Sequence, residues 1–259
     1  MSARIAVPVF PGTNSEDETV ALLRDCGGNA DLVHWSQAET LGGYDAYVLS
    51  GGFAHEDRIR AGAIAAHDRM MDFVIDGAQN GKLVLGVCNG AQIVLEAGLV
   101  PGTGPIRRPT AAFTRNGPAP HFVCRHVYVK LNVDPSRSPM TAALPKEAVI
   151  PAWAAHGEGR LAATPAHLEE ILAGGHLAFV YCDASGATTR SAVPNESALG
   201  CAGLVNRAGN VLALMPHCER DAWNFNHLDR AEGSDPLAPS GGAALFRSFV
   251  AAVNAGVRV

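Results

Sequence analysis

Apolar and polar positions along the chain follow two different periods, and the change from one to the other divides it into halves. Residues 4–9 (RIAVPV) are apolar almost throughout, as in a strand buried on both faces. Ser15 with Glu18 has the form of a capping box, and the helix it opens turns Val20 and Leu23 inward and stops at Gly27-Gly28. Short strands are predicted at 30–34 and 44–49, the second running into Gly51-Gly52. From about 61 to 79, Ile64, Met71, Ile75 and Ala78 share one helical face. Lys82–Val87 is a continuous apolar strand that passes through Cys88-Asn89-Gly90 into a short helix (AQIVLEAG) closed by Gly98. Such repetition of strand and helix predicts an α/β fold with a mostly parallel sheet covered by helices on both faces.

The second half reads differently. Val127, Val129, Leu131 and Val133 alternate with Tyr128, Lys130 and Asn132, a strand with one wet face. Strands are also predicted at 149–154 and 177–181. Leu204-Val205 and Val211–Met215, joined through Asn206–Gly209, read as a hairpin. A last helix over about 242–254 places Leu245, Phe249 and Val253 together. This half is expected to extend the α/β core with antiparallel strands. Without an internal repeat or a linker, residues 1–259 read as a single domain. Three Gly/Pro-rich stretches, 101–120, 183–200 and 221–241, are long for loops, and loops above ~15 residues are usually functional or disordered. The last, with Trp223, Phe225 and His227, is either a surface excursion or a loop that meets a partner or closes over a site.

Composition narrows the classes. With 47% hydrophobic and 17% charged residues the chain can bury a large core, and disorder is not expected. A net charge of −5 with no basic stripe argues against nucleic acid as a partner. No apolar run approaches the ~20 residues that span a bilayer, and Ile5-Ala6-Val7 is too short for a secretory signal. A soluble, cytoplasmic globular protein without membrane contact is expected. The six cysteines have no C-x-x-C pair and no zinc spacing, so no metal is expected and most should be small core residues.

One cysteine stands apart. Gly86-Val87-Cys88-Asn89-Gly90 has the G-x-nucleophile-x-G form of a nucleophile elbow, with strand before and helix after. A tight strand-to-helix turn strains the nucleophile's backbone, small neighbours relieve the crowding, and the helix N-terminus favours thiolate. A cysteine nucleophile needs a base and the base an orienting group. His217 and Glu219, at the exit of the Val211–Met215 strand, are two apart and on an extended chain would point the same way. Gly51-Gly52-Phe53 closes the neighbouring strand. The Gly52 and Phe53 amides, with that of Asn89, are candidates for an oxyanion hole.

The segments GVCNGAQIVLEAGLVPG (86–102), AHGEGR (155–160) and LALMPHCER (212–220) closely resemble the glutaminase subunits of phosphoribosylformylglycinamidine synthase. GGF (51–53), RAGAIA (60–65) and AGLVNRAGNV (202–211) add to the likeness, in family order over almost the whole length. These subunits are a branch of the class I glutamine amidotransferases. The resemblance implies a flavodoxin-like fold and a Cys88–His217–Glu219 triad that hydrolyses L-glutamine. The ammonia would pass to a synthase large subunit, with or without a small third subunit, that makes formylglycinamidine ribonucleotide in purine synthesis. It further implies that Gln92, His156, Gly157 and Glu158 lie near bound glutamine. No G-x-x-x-x-G-K-[ST] loop is present, so no cofactor is expected here, and ATP and magnesium belong on the partner. Two positions depart from the family pattern: Cys218 stands where proline is usual, and Glu56 replaces a glycine in the segment after Phe53. The alternatives are another cysteine amidohydrolase on this fold, DJ-1/PfpI-like, or a non-catalytic regulatory subunit.

Overall fold

The computed structural model describes residues 3–259. Eleven strands are β1 (Arg4–Val9), β2 (Asn29–His34), β3 (Ala46–Leu49), β4 (Leu83–Val87), β5 (Ala111–Thr114), β6 (Val123–Leu131), β7 (Val149–His156), β8 (Arg160–Ala163), β9 (Leu177–Cys182), β10 (Cys201–Val205) and β11 (Val211–Leu214). Five α-helices are α1 (Glu16–Asp25), α2 (Arg69–Gln79), α3 (Asn89–Glu96), α4 (Pro165–Ala173) and α5 (Ala244–Asn254). One sheet takes nine strands in the order β2-β1-β3-β4-β11-β10-β9-β6-β7, and β5 pairs with β8 in a small second sheet.

From β2 to β11 neighbours run parallel, and from β11 to β7 they run antiparallel. The expected parallel core and antiparallel extension are therefore both present. The chain steps from β1 through α1 to β2 in one direction, and from β3 through α2 to β4 in the other. Right-handed crossovers then put α1 and α2 on opposite faces. α5 packs on α1, while α3 lies against β3, β4 and β11. The strand order reverses between β1 and β3, so the carboxyl ends of these strands open a crevice where α/β sheets place their sites.

The fourth antiparallel strand curves back on the parallel half. Trp153 of β7 and His217, just past β11, exchange backbone hydrogen bonds, N–H to O 3.0 Å and 2.8 Å. The sheet edge thereby becomes a wall beside the tips of β4 and β11.

Several elements differ from the sequence expectation. The helix predicted over 61–79 is only α2, which is capped by Asp68, whose carboxylate accepts the Met70 N–H at 2.9 Å. Upstream, Gly62 is at φ +80 and lies so close to α3 that a Cβ would sit 2.8 Å from the Gln92 carbonyl carbon. Packing on α3 has overridden the helical period there. Ser15 forms no capping bond; its Oγ instead accepts from Arg220 Nη2 at 2.8 Å. The strand expected at 127–133 begins earlier, at Val123. β5 lies within the stretch read as a loop at 101–120, and β8 and α4 were not predicted. No helix of the described residues is long and apolar enough to cross a membrane.

Candidate active site

Cys88 joins β4 to α3 with φ +52 and ψ −107, a backbone conformation that L-residues avoid and that costs of order 1–3 kcal/mol. Its two glycine neighbours explain how the turn closes. A Cβ on Gly86 would lie 2.6 Å from the Gly90 carbonyl oxygen, and one on Gly90 2.0 Å from that of Leu49. The elbow thus closes onto itself and onto β3, and only hydrogen fits at either contact. Cys88 is 5% exposed, and its sulfur lies 3.8 Å from the Ala155 carbonyl of β7.

His217 and Glu219 meet the cysteine as expected, though by a different route. His217 Nδ1 is hydrogen-bonded to Glu219 Oε1, and the ring is near enough to Cys88 for the sulfur to favour its charged form. The chain turns at Cys218 (φ −71, ψ −31), and Glu219 opens a 3-10 turn over Glu219–Asp221. Strand alternation is therefore not what aims the carboxylate. Cys218 itself is fully buried in the core. Burial alone would push the His217 imidazole down, but the charges of Glu219 and Cys88 outweigh it and raise it to about 10. The pair thus favours the protonated ring. Gly51 supplies its seat, since a Cβ there would be 2.4 Å from His217 Cε1.

The loop after β3 is fastened to the elbow through Asn89. The Ala54 N–H donates to Asn89 Oδ1 at 2.9 Å, and Asn89 Nδ2 donates to Asp57 Oδ1 at 3.1 Å and Gln92 Oε1 at 2.9 Å. Gln92 Nε2 continues the chain to the Glu158 carbonyl at 2.5 Å, and Glu158 Oε2 accepts the Ala61 N–H at 3.1 Å. Asn89, Gln92 and Glu158 are thus brought together beside Cys88, joined by Asp57, a residue sequence reasoning did not select. Burial first, then the charge of Glu158, raises the Asp57 carboxyl to about 6. His55, Glu56 and Asp57 are three consecutive residues at positive φ (+54, +60, +50). Glu56 thus occupies the left-handed conformation that the family's usual glycine adopts without steric cost.

Other candidates are placed less directly. The Phe53 N–H donates to the Gly12 carbonyl at 2.8 Å, so in this arrangement it does not face a substrate. The Asn89 amide, at the first position of α3, has no intrahelical acceptor. His156 is 3% exposed, and neither ring nitrogen has a hydrogen-bond partner among the described residues. Burial, then His217, lowers it to about 4, so it is neutral. Gly159 packs on its ring, where a Cβ would be 2.3 Å from Cε1. The Gly157 carbonyl accepts the Asn116 N–H at 2.9 Å. These last contacts brace the turn that carries Glu158.

A cysteine, an imidazolium and a buried carboxylate at the carboxyl edge of an α/β sheet define a cysteine acyl-transfer site. A family model, the CobB/CobQ-like glutamine amidotransferase domain, matches residues 2–251, and the chain belongs to this family. Among curated relatives, the phosphoribosylformylglycinamidine synthase subunit PurQ of Moorella thermoacetica is 42% identical over 236 residues, covering 91% of this chain and 94% of that one. PurQ of Pyrococcus furiosus is 38% identical over 222 residues, 86% of this chain and 91% of that one. The solved structure of PurLQS from Thermotoga maritima superposes with a TM-score of 0.73 at 26% identity, covering 97% of this chain and 99% of that one.

Proposed function

We propose that this chain is the glutaminase subunit of phosphoribosylformylglycinamidine synthase, hydrolysing L-glutamine and delivering ammonia to a synthase chain in purine biosynthesis. The observation that carries the reading is Cys88 on a strained elbow, beside a His217 ring that Glu219 holds through Nδ1 and whose charged form both neighbours favour. The Cys88 thiolate attacks the side-chain carbonyl of glutamine. The oxyanion forms at the N-terminus of α3, on the Asn89 amide with Gly52, and Phe53 joins only if its bond to Gly12 opens. His217 gives its proton to the departing nitrogen, which leaves as ammonia and a γ-glutamyl thioester remains. The neutral imidazole then takes a proton from water, the hydroxide adds to the thioester, and glutamate leaves as the thiolate–imidazolium pair is restored.

Gln92 and Glu158 would border the bound glutamine, with His156 and Gly157 supporting Glu158 from below. The whole chain would act as one amidotransferase domain in the cytoplasm. ATP and magnesium would bind the synthase large subunit, and a small third subunit would complete the assembly. The test is glutamate release from glutamine with and without the matching synthase chain, formylglycinamide ribonucleotide and ATP. Strong stimulation by the full mixture is expected. Equal release with and without it would overturn the assignment to this synthase.

A further inference from the structure

Asp221 ends the same 3-10 turn that begins with catalytic Glu219, and it is fully buried. Both of its carboxylate oxygens are met by imidazoles: His126 Nε2 lies 2.7 Å from Oδ2, and His227 Nδ1 lies 2.7 Å from Oδ1. His126 is on β6, and Asp221 and His227 are six positions apart at the start of the 221–241 strap, so two segments remote in sequence meet at one point. Their ligand atoms all lie within 4.8 Å of one another. Among the described residues no lysine or arginine pairs with Asp221; its ion-pair partners are these two histidines. A second carboxylate stands nearby, since Asp229 accepts a 2.5 Å hydrogen bond from Tyr128, whose ring is edge-on to His126 at 4.9 Å between centroids. Asp221 is thus a buried carboxylate held by two imidazoles and by the Ser240 hydroxyl, 3.1 Å from Oδ1, while Asp229 stands at the exposed rim.

Two imidazoles and a carboxylate are the donor set that first-row divalent metals prefer, softer than the oxygen cages of calcium or magnesium. A cavity of about 430 Å³, bordered by Trp153, Arg220, Phe225, His227 and Leu228, reaches the cluster on its His227 side. We propose that His126, Asp221 and His227 bind one divalent transition-metal ion of the zinc class, and that the ion pins the 221–241 strap to β6. Metal–nitrogen and metal–oxygen bonds are about 2.0–2.2 Å, which sets ligand atoms about 3.0–3.4 Å apart, so each imidazole nitrogen moves out from the oxygen it now meets at 2.7 Å to admit the ion between them. Binding needs a free lone pair on His126 Nε2 and on His227 Nδ1, so any proton on these nitrogens moves to the other nitrogen of the ring or is released to water. Water fills the remaining positions, and the ion's role is structural, stiffening the turn from which Glu219 projects.

The test titrates the chelator-treated full chain with Co²⁺ and then Zn²⁺. A single equivalent of Co²⁺ is expected, giving weak visible d–d bands without the near-ultraviolet thiolate charge-transfer band that cysteine ligation produces, and Zn²⁺ displaces it. His227→Gln, a strap residue, should weaken binding by at least ~10-fold, the cost of losing even an outer-shell partner. Zn²⁺ should raise the melting temperature and slow proteolysis within 221–241 in the unaltered chain, but not in His227→Gln. Circular dichroism establishes that the variant is folded, and His126→Ala provides a second ligand deletion. Absence of Co²⁺ and Zn²⁺ uptake by the unaltered chain would overturn the proposal. So would uptake that carries a thiolate band or is unchanged in the folded His227→Gln variant. None of these readings involves glutamine turnover, so their failure leaves the glutaminase reading standing.

Discussion

The elbow and the antiparallel wall beside it solve the same problem with different means. At the elbow, the constraints are local. Cys88 is strained, but Gly86 and Gly90 lie within two residues of it, and β4 and α3 follow directly on either side. At the wall, nearly every constraint is remote. The β7 carbonyl of Ala155 faces the sulfur across 67 positions of sequence, and Trp153 pairs with His217 only because four antiparallel strands curl the sheet round. The comparison separates two jobs: the nucleophile is made by short-range backbone geometry, and the pocket that uses it is made by long-range pairing.

Substitutions can break this division. Glu219→Gln leaves the backbone intact but removes the charge that keeps His217 protonated, and a fall in kcat of about 10³–10⁴ is expected with little change in KM. Steady-state glutamate release measures it; a loss under tenfold would detach Glu219 from the chemistry. Gly51→Ala tests the seat of the ring. Its Cβ would meet His217 Cε1 at 2.4 Å, so His217 must move, and a roughly 10²-fold loss is expected while the melting temperature changes little. Full unfolding instead would mean that Gly51 serves the fold rather than the ring.

Asp57 gives a pH-dependent test. Its folded value, about 6, lies above the usual 3.8, so the native state prefers the protonated form. That preference stabilises fully below about pH 3.8 and is lost as pH rises through 6. At pH 8 the ionised carboxylate is therefore a liability, moderated by partial solvent screening to about 1 kcal/mol. Asp57→Asn should raise the melting temperature by about 2–4 °C at pH 8 and by much less at pH 4. It should also lower activity, because Asn89 loses a charged acceptor. Equal shifts at both pH values would refute the linkage. The smallest effect is expected for Cys218→Pro. Its φ of −71 already suits proline, so stability within about 1 kcal/mol and near-normal turnover are predicted from denaturant melts and kinetics.

What was legible in the sequence follows the same boundary. β1, β4, α3 and the hairpin β10–β11 could be read from apolar runs and glycines, as could Cys88, because each signal lies within a few residues. His217 and Glu219 were also legible, yet strand alternation was the wrong reason, since the chain turns at Cys218. Asp57 escaped selection because its importance rests on Asn89 and Glu158, on other elements. β5 and β8 are four residues each and pair only with one another, too short for periodicity to register. α4 did carry its signals, Thr164 at the cap and Pro165 at the first turn, although its weakly amphipathic sequence has only Ile171 fully buried. The His126–Asp221–His227 cluster was invisible to spacing, because 95 positions separate its first two members.

The central claim is that backbone geometry singles out one thiol of six, and chemical trapping tests it most directly. The chain is incubated with an electrophilic glutamine analogue such as a diazoketone, and the adduct is mapped by mass spectrometry. The account predicts a single adduct on Cys88, blocked by excess glutamine and absent in Cys88→Ala. The exposed Cys124 and the buried Cys218 should remain unmodified. Labelling of Cys124 at a comparable rate, or glutamate release that persists in Cys88→Ala, would contradict it.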